Sequence, residues 1–154
     1  MPNHCSNDLF ITGPASELKR FKEHAQGDEI ILDVEKFIPH PKNYRDADEA
    51  AEKDRSLKDG YNNGGYDWCI KNWGTKWGAY EISLDETPKK LSYTFDTAWA
   101  PMLPVIVKMG EMFPLLKFVN KYYEMGMGCK GSITVKGKTI IHPEDVEYKG
   151  NRGG

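Results

Sequence analysis

Between Leu91 and Trp99 the chain alternates without a break. Leu91, Tyr93, Phe95, Thr97 and Trp99 take one parity, and Ser92, Thr94, Asp96 and Ala98 the other. A period of two places one set on a buried sheet face and the other on the opposite face. Before it, Tyr80, Ile82 and Leu84 alternate with Glu81, Ser83 and Asp85, and Glu86-Thr87-Pro88-Lys89-Lys90 supplies a turn. After it the period changes. Met102, Val105, Ile106, Met109 and Phe113 form a helical stripe over 101–113, with Pro104 in the first turn, where a missing N–H is tolerated. A hairpin followed at once by an apolar-faced helix requires a sheet with a helical layer on one face.

The flanks extend this pattern. Asn7 to Thr12 reads as a strand, and residues 15–26 as an amphipathic helix carrying Leu18, Phe21 and Ala25, ended by Gly27. Ile30 to Ile38 is rich in β-formers and reads as a strand running into Pro39-His40-Pro41. A short helix over about 65–72 gathers Tyr66, Cys69, Ile70 and Trp73. Leu116, Phe118 and Tyr122 open a further strand, with a return at Ser132–Val135 and a last tight turn at Gly137-Lys138. The expected fold is α+β: a two-layer sandwich of a mostly antiparallel sheet and two packed helices, ferredoxin-like. The single domain spans 1–146, with a polar helical insertion over about 42–64 and a flexible tail at 147–154. The insertion contains the string Gly60 to Gly65, expected to be flexible.

Composition narrows the class. The 154 residues are 39% hydrophobic, 29% charged and 12% aromatic, which is globular composition. A net charge of −2 sets no global field to recruit nucleic acid or a membrane. No apolar run reaches the roughly 20 residues that span a bilayer. Three cysteines, at 5, 69 and 129, make no disulfide framework, so a cytoplasmic setting is expected. No zinc tetrad is expected either. His4, Cys5, His40, Cys69, Cys129 and His142 show none of the paired short spacings that zinc ligands favour. No cofactor is implied: Gly60 to Gly65 lacks the Lys-Ser/Thr ending of a phosphate loop.

Three of the four tryptophans fall within Trp68–Trp77, and the fourth is Trp99. Large indoles at that density mark a packed nucleus or a recognition surface. The bland reading buries both indoles of Asn72-Trp73-Gly74-Thr75-Lys76-Trp77 on the sheet and lets Lys76 snorkel. The sharper reading is a platform on which an indole stacks on a ring while Lys76 meets an anion. The candidate ligand-binding residues are therefore Asn72, Trp73, Thr75, Lys76, Trp77, Thr97, Trp99 and Glu124, with Trp77, Thr97 and Trp99 expected on one sheet face. No catalytic residue is assigned, because no Ser/His/Asp or Cys/His arrangement is visible.

Several of these strings, taken in order, resemble a known family. Met1-Pro2-Asn3-His4-Cys5-Ser6-Asn7, Asn72-Trp73-Gly74-Thr75-Lys76-Trp77, Phe95-Asp96-Thr97-Ala98-Trp99-Ala100-Pro101 and Tyr123-Glu124-Met125-Gly126 are similar to the YubB ferredoxin-like domain family. His4 departs from it, standing where the family pattern has tryptophan. The resemblance runs from position 1 to about 131. It implies a ferredoxin-like fold without iron and sulfur, carried by plasmids, phages and bacterial genomes, and no settled activity.

The leading expectation is a non-enzymatic accessory module of a mobile element. It binds a protein or small-molecule partner through the Trp-rich face, with the charged insertion beside it as a lid or contact segment. A second reading is a small enzyme acting on a nucleotide or modified base, with Lys76 holding an anion and Glu124 or Asp96 as base. A third is single-stranded nucleic-acid binding, favoured by interleaved indoles and lysines and opposed by the net charge.

Overall fold

The computed structural model describes residues 3–60, 64–126 and 128–147. In chain order it runs β1 (His4–Thr12), α1 (Ala15–Ala25), α2 (Lys42–Lys53), α3 (Tyr66–Asn72), β2 (Tyr80–Thr87), β3 (Lys90–Ala98), α4 (Leu103–Met112), β4 (Lys117–Glu124), β5 (Cys129–Lys136), β6 (Thr139–Ile141) and β7 (Val146–Glu147). The sheet order is β2-β3-β1-β4-β5-β6, with β7 also pairing β5, and every pairing is antiparallel. β1 thus lies between β3 and β4, while α1 carries the chain across to β2 at the edge. This is the ferredoxin-like arrangement, extended beyond β4 by β5 to β7.

Register decides which residues face the helices. Cys5, Asn7, Leu9 and Ile11 of β1 pair with Thr97, Phe95, Tyr93 and Leu91 of β3, and all eight are buried. Phe118, Asn120, Tyr122 and Glu124 of β4 continue that face. Onto it pack Leu18, Phe21 and Ala25 of α1 and Val105, Ile106 and Met109 of α4. Phe21 is central: its ring lies 5.2 Å from Phe113, 5.5 Å from Phe118 and 6.2 Å from Tyr93. At Gly110 a Cβ would fall 2.2 Å from Val135 Cγ1, so a bare backbone is what lets α4 approach the sheet this closely. The apolar stripe expected over 101–113 is buried as a whole, and α4 starts at Leu103 with Pro104 in its first turn.

Ile30 to Ile38 is not a strand. Val34–Lys36 is a 3-10 turn, capped by the Asp33 carboxylate, which accepts the Glu35 N–H at 3.0 Å. The Asp33 N–H bonds back to the Ala25 carbonyl at 2.9 Å. Leu32, Val34 and Phe37 drop into the core, so the β-formers here satisfy packing rather than a ladder. The expected strand through Trp99 ends at Ala98. Glu147, expected in the tail, pairs with Cys129. Residues 61–63 and 148–154 lie outside the described residues, so the expected flexibility of the Gly60–Gly65 string is not addressed at its centre, nor that of the tail beyond Glu147. No described helix is long and apolar enough to cross a membrane.

The insertion is helical over Lys42–Lys53, and that helix buries none of its residues. Tyr44 anchors it, stacked at 5.5 Å on His40, which in turn meets Trp68 at 5.0 Å and Trp73 at 5.5 Å. Arg45 adds a hydrogen bond to the His40 carbonyl at 3.0 Å and an ion pair to Glu35 at 3.6 Å.

Candidate functional site

The eight residues expected to bind divide by burial. Trp73, which follows α3, is 6% exposed, and its indole N–H donates to the Ile38 carbonyl at 2.9 Å. Asn72 donates to the Trp68 carbonyl at 2.9 Å. Thr75 and Thr97 are fully buried. Glu124 is buried too, and one of its oxygens accepts the Gly126 N–H at 2.9 Å. Trp77 and Trp99 remain, 38% and 43% exposed. The Lys76 ammonium lies 4.9 Å from the Trp77 ring and 4.6 Å from the Trp99 ring. The Tyr66 ring stands edge-on to Trp99, 6.4 Å away at 78°.

The two threonines define how Trp99 is presented. Trp99 has φ of 68°, a left-handed backbone that a bulky residue rarely adopts. The Ala100 N–H bonds to the Ala98 carbonyl at 2.9 Å, so Trp99 is the centre of a tight three-residue turn of the strained hand. The Thr75 hydroxyl donates to the Ala98 carbonyl at 2.6 Å, and the Thr97 hydroxyl to the Ala100 carbonyl at 2.7 Å. Both carbonyls flanking Trp99 are therefore held from inside the fold. Thr97 accepts from the Asn7 amide at 3.0 Å, and Asn7 accepts from Asn120 at 3.2 Å. A buried polar chain thus runs from β4 through β1 to the turn under Trp99. The Trp99 N–H donates to the Asn3 carbonyl at 2.8 Å.

This corrects the placement of Trp77, Thr97 and Trp99 on one sheet face. Thr97 points under the helices, Trp77 precedes β2, and Trp99 leaves the strand alternation through its left-handed turn. The structure brings Lys76, Trp77 and Trp99 together at the surface, with Thr75 and Thr97 beneath. Asn72 and Trp73 hold the loop to α3 and to the 30–38 segment. Glu124 is apart from the indoles, on β4 opposite Cys5. Asp96 pairs with Ser6 and Glu124 with Cys5, so these carboxylates project from opposite faces of the sheet and cannot act on one atom. Through Tyr44 on His40, α2 is linked to Trp68 and Trp73.

Tyr66, Asn7 and Asn120 were absent from the expected set. Asn7 carries a readable signal, since it shares parity with Leu9 and Ile11 and so is polar at a core position. Among the described residues no cluster of three or more His, Cys, Asp or Glu could hold a metal ion. Burial pushes the Cys69 thiol up to about 11, helped by Glu35, so it is protonated and unreactive at neutral pH.

A family model for the ferredoxin-like domain of Api92-like proteins matches residues 72–151, over half of the chain. The chain belongs to that family. The match starts at Asn72, so β1, the strand between β3 and β4, lies outside it. The crystal structure of the protein Api92 from Yersinia pseudotuberculosis is similar over 99% of this chain and 100% of that one, at 11% identity and a TM-score of 0.61. At that identity the likeness speaks to fold. None of the curated proteins matches the chain.

Proposed function

We propose that this domain is a non-catalytic binding module that captures a protein or small-molecule partner on the Trp77–Lys76–Trp99 face. In this reading it is an accessory protein of a mobile genetic element, the setting its resemblance to the YubB family carries. The observation that supports the binding face is Trp99. A bulky residue in a left-handed turn costs on the order of 1–3 kcal/mol and persists only where the surroundings over-determine it. Here two fully buried threonines hold the turn, and what they hold is an exposed indole. A sequence selected for stability alone would place glycine there. Lys76 between the two indoles adds a cation whose flanks are flat and apolar. The partner chemistry this fits is an anionic group beside a ring or apolar side chain.

The test is retention of a partner from the protein's own cell background, read by native mass spectrometry. Wild type is compared with Trp99→Gly and Lys76→Ala, each first shown to melt like wild type. Loss of the retained species in both variants is the expected result. Equal retention by both variants places the binding surface elsewhere and defeats the proposal.

A further inference from the structure

The sheet face away from α1 and α4 carries a second surface, unrelated to the indoles. On it β4 presents Lys117, Val119, Lys121 and Tyr123, and β5 presents Lys130, Ser132, Thr134 and Lys136. Four of these eight positions are lysine and none is acidic. The register sets Lys117 directly opposite Lys136. Like charges at opposed positions repel across a ladder and weaken it, so this pair opposes stability unless an anion joins it. Lys130 and Lys136 are six residues apart, roughly 20 Å along an extended strand. The cations therefore follow the length of the hairpin rather than one point.

At the Tyr123–Lys130 end of this face lies a cavity of about 250 Å³, lined by Lys121, Tyr123, Lys130, Ser132, Pro143 and Val146 among others. Tyr123, only 4% exposed, is one of its lining residues, and the run leading into β7 walls its outer side. Among the described residues two carboxylates border the track: Glu144 in the cavity wall and Asp8 on β1 opposite Lys121. Four cations against two carboxylates leave a local positive excess on a chain whose net charge is −2. The cavity is small and partly apolar, sized for one flat group, while the lysines continue past it in both strands. A compact anion fills the cavity and leaves Lys117 and Lys136 unexplained. A flexible polyanion with flat groups meets both.

We propose that the outer face of the β4–β5 hairpin binds single-stranded nucleic acid. Lys117, Lys121, Lys130 and Lys136 meet the phosphates, and one base seats in the cavity lined by Tyr123, Ser132 and Pro143. This site is separate from the indole face, and its test separates the two. A labelled oligothymidylate is titrated at several salt concentrations and read by fluorescence anisotropy. For four phosphate contacts on a single strand, log K falls with log salt at a slope of about −2.8. Lys121→Ala/Lys130→Ala and Lys117→Ala/Lys136→Ala should each reduce the slope by about 1.4. All four positions are on strand surfaces, and melting curves of both variants check that they fold. Lys76→Ala, on the other face, should bind like wild type. The proposal is overturned by absence of binding at low salt, by a slope that neither double variant changes, or by loss of binding in Lys76→Ala. It is equally overturned if thymidine monophosphate binds as tightly as the oligomer, which leaves a cavity for a compact anion and no track.

Discussion

Trp99 separates two uses of tryptophan within one short stretch of sequence. Its backbone is strained, its ring is outside, and glycine suits its φ of 68° better than any other residue. Trp99→Gly gives back strain of about 1–3 kcal/mol and loses, among the described residues, ring contacts with Lys76 and Tyr66. Its melting temperature should match or exceed that of wild type. Trp73→Ala, which removes a buried indole and orphans the Ile38 carbonyl, should cost about 3–5 kcal/mol. Thermal unfolding of the two variants side by side checks both. A Trp99→Gly variant that loses as much as Trp73→Ala makes Trp99 a packing residue. Gly131 makes a third case. It faces Tyr122 across the hairpin, and a Cβ there would fall 2.4 Å from the Tyr122 hydroxyl and 2.3 Å from Asp145. Gly131→Ala should destabilise by about 1–3 kcal/mol through overpacking. At this scale the sequence exposes residue types but not their partners. Thr75 and Thr97 read as ligand-binding hydroxyls because they stand among indoles. They are spent on main-chain carbonyls, and a carbonyl has no letter in the sequence. Lys76, Trp77 and Trp99 were legible as a group, because two indoles and a cation attract one another wherever the backbone lets them meet.

Elements were legible where periodicity was long and shared. β3 and α4 follow from their patterns because eight to ten residues each report the same buried face. Ile106, fully buried in that stripe, should cost about 2–5 kcal/mol when cut to alanine. Ile30 to Ile38 misleads because β-branched residues mark burial as well as extension. Leu32, Val34 and Phe37 are buried one by one by an irregular path that Asp33 caps. The hairpin track was hidden for another reason: Lys117 and Lys121 share a face by parity, but Lys130 and Lys136 join them only once register is known. The insertion depends on His40. Burial holds the His40 pKa below its ordinary value of 6.5, against an upward pull from Glu35, and Arg45 adds to the lowering. The unfolded segment therefore binds a proton more readily than the folded one. Stability from neutral His40 is present above pH about 6.5 and is lost as pH falls through that value towards the lower folded pKa. Protection factors of the α2 amides, which normalise exchange to its intrinsic pH-dependent rate, should fall on mild acidification. His40→Phe, which keeps a ring against Tyr44, Trp68 and Trp73, should remove most of that fall. If it leaves the fall intact, another group senses the proton.

At the scale of the whole molecule, the helical layer and the aromatic block share one core. Phe21 touches sheet and helix rings together, and the same cluster takes in Phe37, Cys69 and Trp73. That continuity has a consequence for cooperativity. α3 is only seven residues long, too short to persist without tertiary packing. If its packing belongs to the common core, it opens only when the domain opens. Cys69 reports this directly, because its thiol is buried and held protonated by its surroundings. Under native conditions it should resist a thiol reagent, and its labelling should accelerate with denaturant along the same transition that far-ultraviolet circular dichroism follows. The strength of the reading lies in the coincidence of the two curves. Labelling that runs ahead of the loss of secondary structure would mean that α3, with Trp73 and the insertion docked on it, is a separate cooperative unit. The surface formed by Lys76, Trp77 and Trp99 would then rest on a part of the molecule that opens independently of the sheet.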